Sequence, residues 1–253
     1  ISRQKYYHIV LLAKNDVGRV NLYKIVSDSH TKYFHRKPKM PRSLLAKYRE
    51  GLIVGSACIL GEFMNAIKNG ENDDTLKEIA SFYDYLEIQP LGNNEFLVRE
   101  NKCTQKDLQK YNKKIYELGK KLGKLVVATG DVHFLNPEDA KVRAVLQAGQ
   151  KYKDADSQAP LYFRTTEEML QEFSYFDEEI AKELVITNPQ KIADMVENIR
   201  PVPDRDQLYS PHIDGAEEKI KSMAYAKAHA LYGDELPKIV ADRLQMELDA
   251  IIN

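Results

Sequence analysis

Two cysteines, Cys58 and Cys103, are all that the 253 residues contain. They are too few for a disulfide framework, and together with the lack of a signal peptide they point to a reducing cytoplasm. No stretch approaches the roughly 20 uncharged apolar residues needed to cross a bilayer, so no membrane partner is expected. Net charge is scarce as well: 37 Lys and Arg stand against 38 Asp and Glu. Contact with nucleic acid would therefore have to come from a local patch, not from an overall positive field. Internal repeats and low-complexity tracts are missing. What is present, 43% hydrophobic and 30% charged residues, is the composition of a globular chain able to bury a core. The length suits one α/β barrel or two small domains. The chain opens Ile1-Ser2-Arg3 without an initiator Met and stops at Ile251-Ile252-Asn253 inside an amphipathic helical pattern, which reads as a piece of something larger.

Short apolar, β-branched runs recur at Tyr7–Leu12, Leu52–Gly55, Tyr85–Ile88 and Leu125–Ala128, and they read as buried parallel strands. Helical patterns lie between them. Asp16 can cap a helix reaching about Ser29, with Val17, Val20, Leu22, Ile25 and Val26 as a mixed apolar face. Thr104 can cap a second helix that Gly123 ends, and Asn136 a third that Pro137 opens and that runs through Leu146. Strand and helix in alternation predict a parallel sheet, open or closed into a barrel. From about Lys151 the pattern changes: a short strand is expected at Leu161–Arg164, a helix from Thr165 with Glu168 completing a capping box, and another over about 189–198. Pro201-Val202-Pro203-Asp204 breaks the chain and 207–215 reads as an extended connector, before a last helical pair at about 217–232 and 237–252. A domain boundary is placed near residue 200.

The strongest local signal for chemistry is Thr129-Gly130-Asp131-Val132-His133-Phe134, directly after an apolar strand. Functional groups collect at the C-terminal ends of strands in parallel α/β folds. Asp131 and His133, two apart on an extended segment, point to the same side, and both are good ligands for Zn2+ or Mn2+. The plainer reading is a helix cap beside a hydrogen-bonded histidine. Cys58 ends the turn Gly55-Ser56-Ala57-Cys58 that follows another strand. It reads as a metal ligand, as a nucleophile in need of a paired base, or as an inert thiol. His8, beside an apolar run, is a weaker candidate of the same kind. If Cys58, Asp131 and His133 share one ion, they have to converge across the fold.

Between Lys32 and Arg49 there are seven Lys and Arg and no acidic residue, with Tyr33, Phe34 and Tyr48 interleaved. Lys37, Lys39 and Arg42 in this patch are the candidates for contact with nucleic-acid phosphates. A solvated loop whose aliphatic stems cover the end of the sheet is the competing reading.

Several longer stretches together resemble a known family. Tyr7-His8-Ile9-Val10-Leu11-Leu12-Ala13-Lys14-Asn15, Arg36-Lys37-Pro38-Lys39-Met40-Pro41 and Glu50–Cys58 are similar to the polymerase-and-histidinol-phosphatase (PHP) domain of bacterial replicative DNA polymerases. Glu87–Phe96, Ala128–Asp139 and Ala159–Thr166 narrow the resemblance to the PolC type of DNA polymerase III α subunit, known from Gram-positive bacteria. The resemblance runs over essentially the whole chain. It implies a distorted (β/α)7 PHP barrel interrupted by an inserted proofreading exonuclease. This chain would be the C-terminal part of that barrel, over 1–200, followed over 201–253 by a mostly helical segment that starts the polymerase palm. The family's metal cluster draws ligands from both parts of the barrel, and the positions that match here are His8, Cys58, Asp131 and His133. The family's early His-x-His and the Asp, His and Glu that follow are absent, so this piece alone would hold an incomplete site.

What the resemblance implies in function is a segment of a DNA-directed DNA polymerase, a nucleotidyltransferase of DNA replication. The segment itself would bind Zn2+ or Mn2+ in the PHP site and brace the rest. Mg2+ would serve a polymerase site whose carboxylates, like those of the exonuclease, lie outside it. The partners implied are primer-template DNA, deoxynucleoside triphosphates and replisome subunits such as the sliding clamp, in the cytoplasm. Two alternatives stand beside it: a free-standing PHP phosphoesterase whose metals activate water, and a scaffold whose metals only stabilise the fold.

Overall fold

A computed structural model describes residues 5–152, 154–202 and 211–252. The chain divides into two compact units, Ile1–Pro201 and Val202–Asn253. Positions Pro203 and Asp204 of the expected break, and 207–210 of the expected connector, lie outside the described residues.

The first unit is built on one sheet of four short strands, β1 (Val10–Ala13), β2 (Leu52–Gly55), β3 (Tyr85–Ile88) and β4 (Leu125–Ala128), in spatial order β1-β2-β3-β4. Strands β2, β3 and β4 are parallel, with Leu86 opposite Val126 and Ile88 opposite Ala128. Their near-continuous apolar sequences fit that, because helices or loops cover both faces of a parallel sheet. Strand β1 corrects the expectation drawn from the same composition: it runs antiparallel to β2, with Val10 opposite Gly55 and Ala13 opposite Leu52, and it is only half-buried. Apolar, β-branched residues report burial and carry no information on direction, and an antiparallel edge on an otherwise parallel sheet is common. The strand also starts later than expected, which leaves His8 outside it and joined to Gly61 by an isolated parallel bridge. The described residues thus form an open four-stranded sheet with two edges.

Helices connect the strands: α1 (Asp16–Thr31) and α2 (Arg42–Lys47), α3 (Glu62–Lys68) and α4 (Asp73–Ser81), then α5 (Glu95–Arg99) and α6 (Gln105–Lys121). Asn15, not Asp16, caps α1, its side chain accepting from the Gly18 N–H at 3.0 Å, while Asp16 pairs with Arg19. Of the apolar face expected on α1, Ile25 is buried and Leu22 packs on the core, whereas Val17, Val20 and Val26 are exposed. Helix α6 follows its sequence closely, with Thr104 and Asp107 capping each other's backbone N–H groups and Leu108, Ile115 and Leu118 buried. It lies so close to the sheet that a Cβ on Gly119 would stand 2.3 Å from Val126 Cγ2, which is why the residue there has no side chain.

After β4 the chain turns through 3-10 residues Pro137–Asp139 into α7 (Ala140–Gly149), then α8 (Thr166–Glu172), α9 (Glu178–Lys182), a π-helical turn (Glu183–Thr187) and α10 (Asn188–Asp194). The expected strand at Leu161–Arg164 reduces to one parallel bridge between Tyr162 and Phe134. The larger core lies on one face of the sheet, where Val54, Leu86, Ile88 and Val126 meet Phe63, Ile115, Phe173 and Leu184. A smaller cluster of Ile53, Tyr85, Val127 and Ile192 covers the other. Strand alternation puts Glu87, in register with Val127, on that second face.

The second unit, taken by itself, is a helical pair, α11 (Ala216–Tyr232) and α12 (Lys238–Ile252). Ala228 and Leu248 are buried, and the Tyr225 hydroxyl donates to Gln245 Oε1 at 2.8 Å. Among the described residues no helix is long and apolar enough to cross a membrane.

Candidate metal centre

Of the donors named from the sequence, Cys58, Asp131 and His133 sit on two turns at the C-terminal ends of β2 and β4, and His8 lies just before β1. After Gly55 the chain reverses through Ser56–Gly61, with Ala57 in the left-handed region (φ 59°) and the Gly61 N–H donating to the Cys58 carbonyl at 2.8 Å. A Cβ on Gly61 would lie 2.2 Å from the Ser56 carbonyl oxygen, so only glycine lets the turn fold back on itself this tightly. The His8 N–H donates to the Leu60 carbonyl at 3.1 Å, and this tie brings the His8 Nδ1 to 3.6 Å from the Cys58 Sγ.

The second turn leaves β4 with the Thr129 N–H donating to the Ile88 carbonyl at 3.0 Å. Asp131 adopts the left-handed region (φ 52°), and the His133 N–H donates to the Leu161 carbonyl at 2.8 Å. The His133 Nδ1 lies 2.7 Å from the Asp131 backbone oxygen and 3.9 Å from its Oδ1. A carbonyl oxygen only accepts, so Nδ1 is a donor here, and in the neutral ring that leaves the lone pair on Nε2, the tautomer a metal-ligating histidine needs.

Burial pushes the Cys58 thiol up from its ordinary value, and the negative charges of Asp131 and Glu87 push it further, against hydrogen bonds from the backbone. Burial likewise raises the Glu87 carboxyl, with hydrogen bonds from Thr129 and Tyr85 opposing and the Asp131 charge adding. Cys58, Asp131 and Glu87 therefore feel one another. A thiol raised in this way is a weaker nucleophile, although His8, 3.6 Å away, is the kind of base the nucleophile reading calls for. The same setting suits a cation, which would favour the thiolate.

The four residues, a thiol, two imidazoles and a carboxylate, are the donor types of a Zn2+ or Mn2+ site. As geometry they form two pairs, His8 with Cys58 and Asp131 with His133. Among the described residues no group of three or more His, Cys, Asp and Glu side chains is arranged to hold a metal ion. The donor chemistry fits, and the described residues supply two halves of a shell without closing it. Sequence reasoning passed over Glu87, Ser56 and Thr129, which lie between the pairs. The signal available was a carboxylate inside the apolar strand Tyr85-Leu86-Glu87-Ile88.

In the basic segment, five of the seven charges fall into two groups. Lys32, Arg42 and Arg49 are bonded to Asp28, Glu62 and Asp84, and Arg42 also lies 4.5 Å from the Phe82 ring centre. Lys37 and Lys39 stand over the exposed ring of Tyr6, at 5.4 and 4.9 Å from its centre. They edge a cavity of about 920 Å3 that is floored by apolar side chains such as Leu22, Ile25 and Leu45.

Residues 1–91 match the family described as the PHP domain. That span holds His8 and Cys58 but not Asp131 and His133. Over 254 aligned positions the chain is 53% identical to a protein of Clostridium perfringens (strain 13) named DNA polymerase III PolC-type, covering 100% of this chain and 17% of the relative. The protein of the same name from Caldanaerobacter subterraneus subsp. tengcongensis is 54% identical, covering 100% of this chain and 18% of its own. That of Bacillus subtilis (strain 168) is 46% identical, covering 99% and 18%. The chain thus spans less than a fifth of the length of the relatives it matches. The likeness to PolC-type DNA polymerase III suggested by its motifs holds over its whole length.

Proposed function

We propose that this chain is a segment of a replicative, DNA-directed DNA polymerase of the PolC type, contributing part of a metal-binding PHP barrel that braces the enzyme. The observation that carries the reading is identity of 53% over all of the chain to a protein bearing that name. On this reading 1–200 is the C-terminal part of a (β/α)7 PHP barrel and 201–253 the start of the polymerase palm. The proofreading exonuclease and the Mg2+-binding carboxylates of nucleotidyl transfer belong to the remainder of the longer protein, as do contacts with primer-template DNA, deoxynucleoside triphosphates and a sliding clamp.

Within the segment, His8, Cys58, Asp131 and His133 would hold Zn2+ or Mn2+ together with donors from outside it. A divalent cation there would supply positive charge between otherwise anionic turns and cross-link the β2 and β4 ends. The chain's own part is to present the ligands ready to bind. His133 is held by Nδ1 so that Nε2 is free, and Cys58 is folded back by the Gly61 turn toward His8. The alternative of a free-standing phosphoesterase is less favoured because the relatives matched over the whole chain bear the polymerase name.

The test compares melting and primer extension of the full-length protein and its His133→Ala variant, each with and without chelator. A lower Tm in the variant, and in the wild type with chelator, is expected. A variant that melts and extends like wild type, with chelator changing neither melting curve, refutes the bracing role.

A further inference from the structure

We infer that Glu87 is a positioning residue for the candidate metal centre, a buried carboxylate that holds the Asp131-bearing turn, through Thr129, against the end of β3 without being one of the donors. The inference rests on the reading of Cys58, Asp131 and His133 as donors to one divalent cation. Glu87 is 7% exposed, and among the described residues no basic side chain pairs with it. A carboxylate taken out of water without a counter-charge is costly, and packing on the Ile53, Tyr85 and Val127 face would be served as well by an apolar side chain.

Its contacts show what the carboxylate is placed to do. The Glu87 N–H donates to the Ser56 Oγ at 2.9 Å, and Ser56, itself buried, stands two residues before Cys58. The Thr129 hydroxyl donates to Glu87 Oε1, also at 2.9 Å, and Thr129 stands two residues before Asp131. The carboxylate is thus bonded to the turn after β4, whereas the bond to the turn after β2 runs from the Glu87 backbone N–H and does not need its side chain. The backbone repeats the tie, Ser56 N–H to the Tyr85 carbonyl at 3.3 Å and Thr129 N–H to the Ile88 carbonyl at 3.0 Å. Only the bond from Thr129 depends on the Glu87 side chain. Outer partners of this kind set the orientation of donors, and removing one typically costs about 10–100-fold in metal affinity.

The experiment titrates the metal-stripped full-length protein with Co2+ and follows the thiolate-to-cobalt absorption that reports Cys58. Variants are Glu87→Ala, Glu87→Gln and Thr129→Val, and each is also melted without metal. Glu87→Ala and Thr129→Val should each weaken Co2+ binding by about 10–100-fold. Glu87→Gln keeps an acceptor for Thr129 and should fall between wild type and Glu87→Ala. Thr129→Val preserves shape at a half-buried position and should melt like wild type without metal. If wild type binds Co2+ through Cys58 and all three variants bind it equally well, Glu87 positions nothing and the donor reading survives. If wild type shows no thiolate band, the donor reading fails and takes this inference with it. If affinity falls only in step with metal-free stability, Thr129→Val included, the role is merely structural and the inference is overturned.

Discussion

Neutralising Lys37 and Lys39 should weaken binding of the full-length protein to duplex DNA in a way that salt reveals. Both ammonium groups rest over the exposed Tyr6 ring and, among the described residues, against no carboxylate, so their charge remains available to a phosphate. Arg42, Arg49 and Lys32 are already bonded to Glu62, Asp84 and Asp28. Every lysine–phosphate pair that is removed takes about 0.9 off the slope of log Kobs against log salt, so the Lys37→Gln, Lys39→Gln double variant should flatten it by about 1.8. Across a fourfold rise in salt that amounts to roughly a tenfold smaller fall in affinity than in wild type. Arg42→Gln, which removes a guanidinium already engaged by Glu62 and the Phe82 ring, should change the slope by clearly less than one such pair does. Fluorescence anisotropy of a labelled duplex over a salt series measures all three. An unchanged slope in the double variant, or an equal flattening by Arg42→Gln, refutes the assignment and leaves the segment a solvated loop.

Two further outcomes follow from the packing and the charges. Gly119→Ala puts a Cβ 2.3 Å from Val126 Cγ2. Overpacking costs about 1–3 kcal/mol and outweighs the gain in helix propensity of about 1 kcal/mol, so Tm should fall. Val126→Ala should couple favourably with it in a double-mutant cycle, and strict additivity would show that the two do not meet. Glu183 tests pH dependence. Burial lifts its carboxyl, but hydrogen bonds from Tyr116, Asn188 and Lys120 outweigh burial and hold it below the usual glutamate value. A depressed folded value means that the stabilisation is complete above the unfolded value of about 4.3 and is lost as pH falls through the folded one. Glu183→Gln should therefore lower Tm at neutral pH, with the gap to wild type closing in acid; a gap independent of pH contradicts this.

Strands β2, β3 and β4 are legible in the sequence because a fully buried parallel strand has to be apolar throughout, and helix α6 because its cap, its repeat and its terminal glycine all agree. The direction of β1 is not, since the residues of Val10–Ala13 would serve either orientation. The cap of α1 falls one residue before the expected position because Asn15 and Asp16 are both competent, and only the side chain's hydrogen bond tells them apart. In the candidate site, Asp131 and His133 are close because they are near neighbours in sequence, brought together by a left-handed turn at Asp131 (φ 52°) and not by the extended segment their spacing suggested. The approach of His8 to Cys58 spans 50 residues and depends on a turn that Gly61 alone permits. Glu87 stays hidden because one charge in a strand of four carries no sign of what it is bonded to.

The most direct test of the account is the metal content of the full-length protein. After equilibration with Zn2+ or Mn2+ and removal of free ions, wild type and Cys103→Ser should retain the metal. Cys58→Ser, Asp131→Asn and His133→Ala should each retain markedly less. Wild type that retains neither ion, or a Cys58→Ser variant that retains as much as wild type, contradicts the claim that these turns carry the donors of one metal centre.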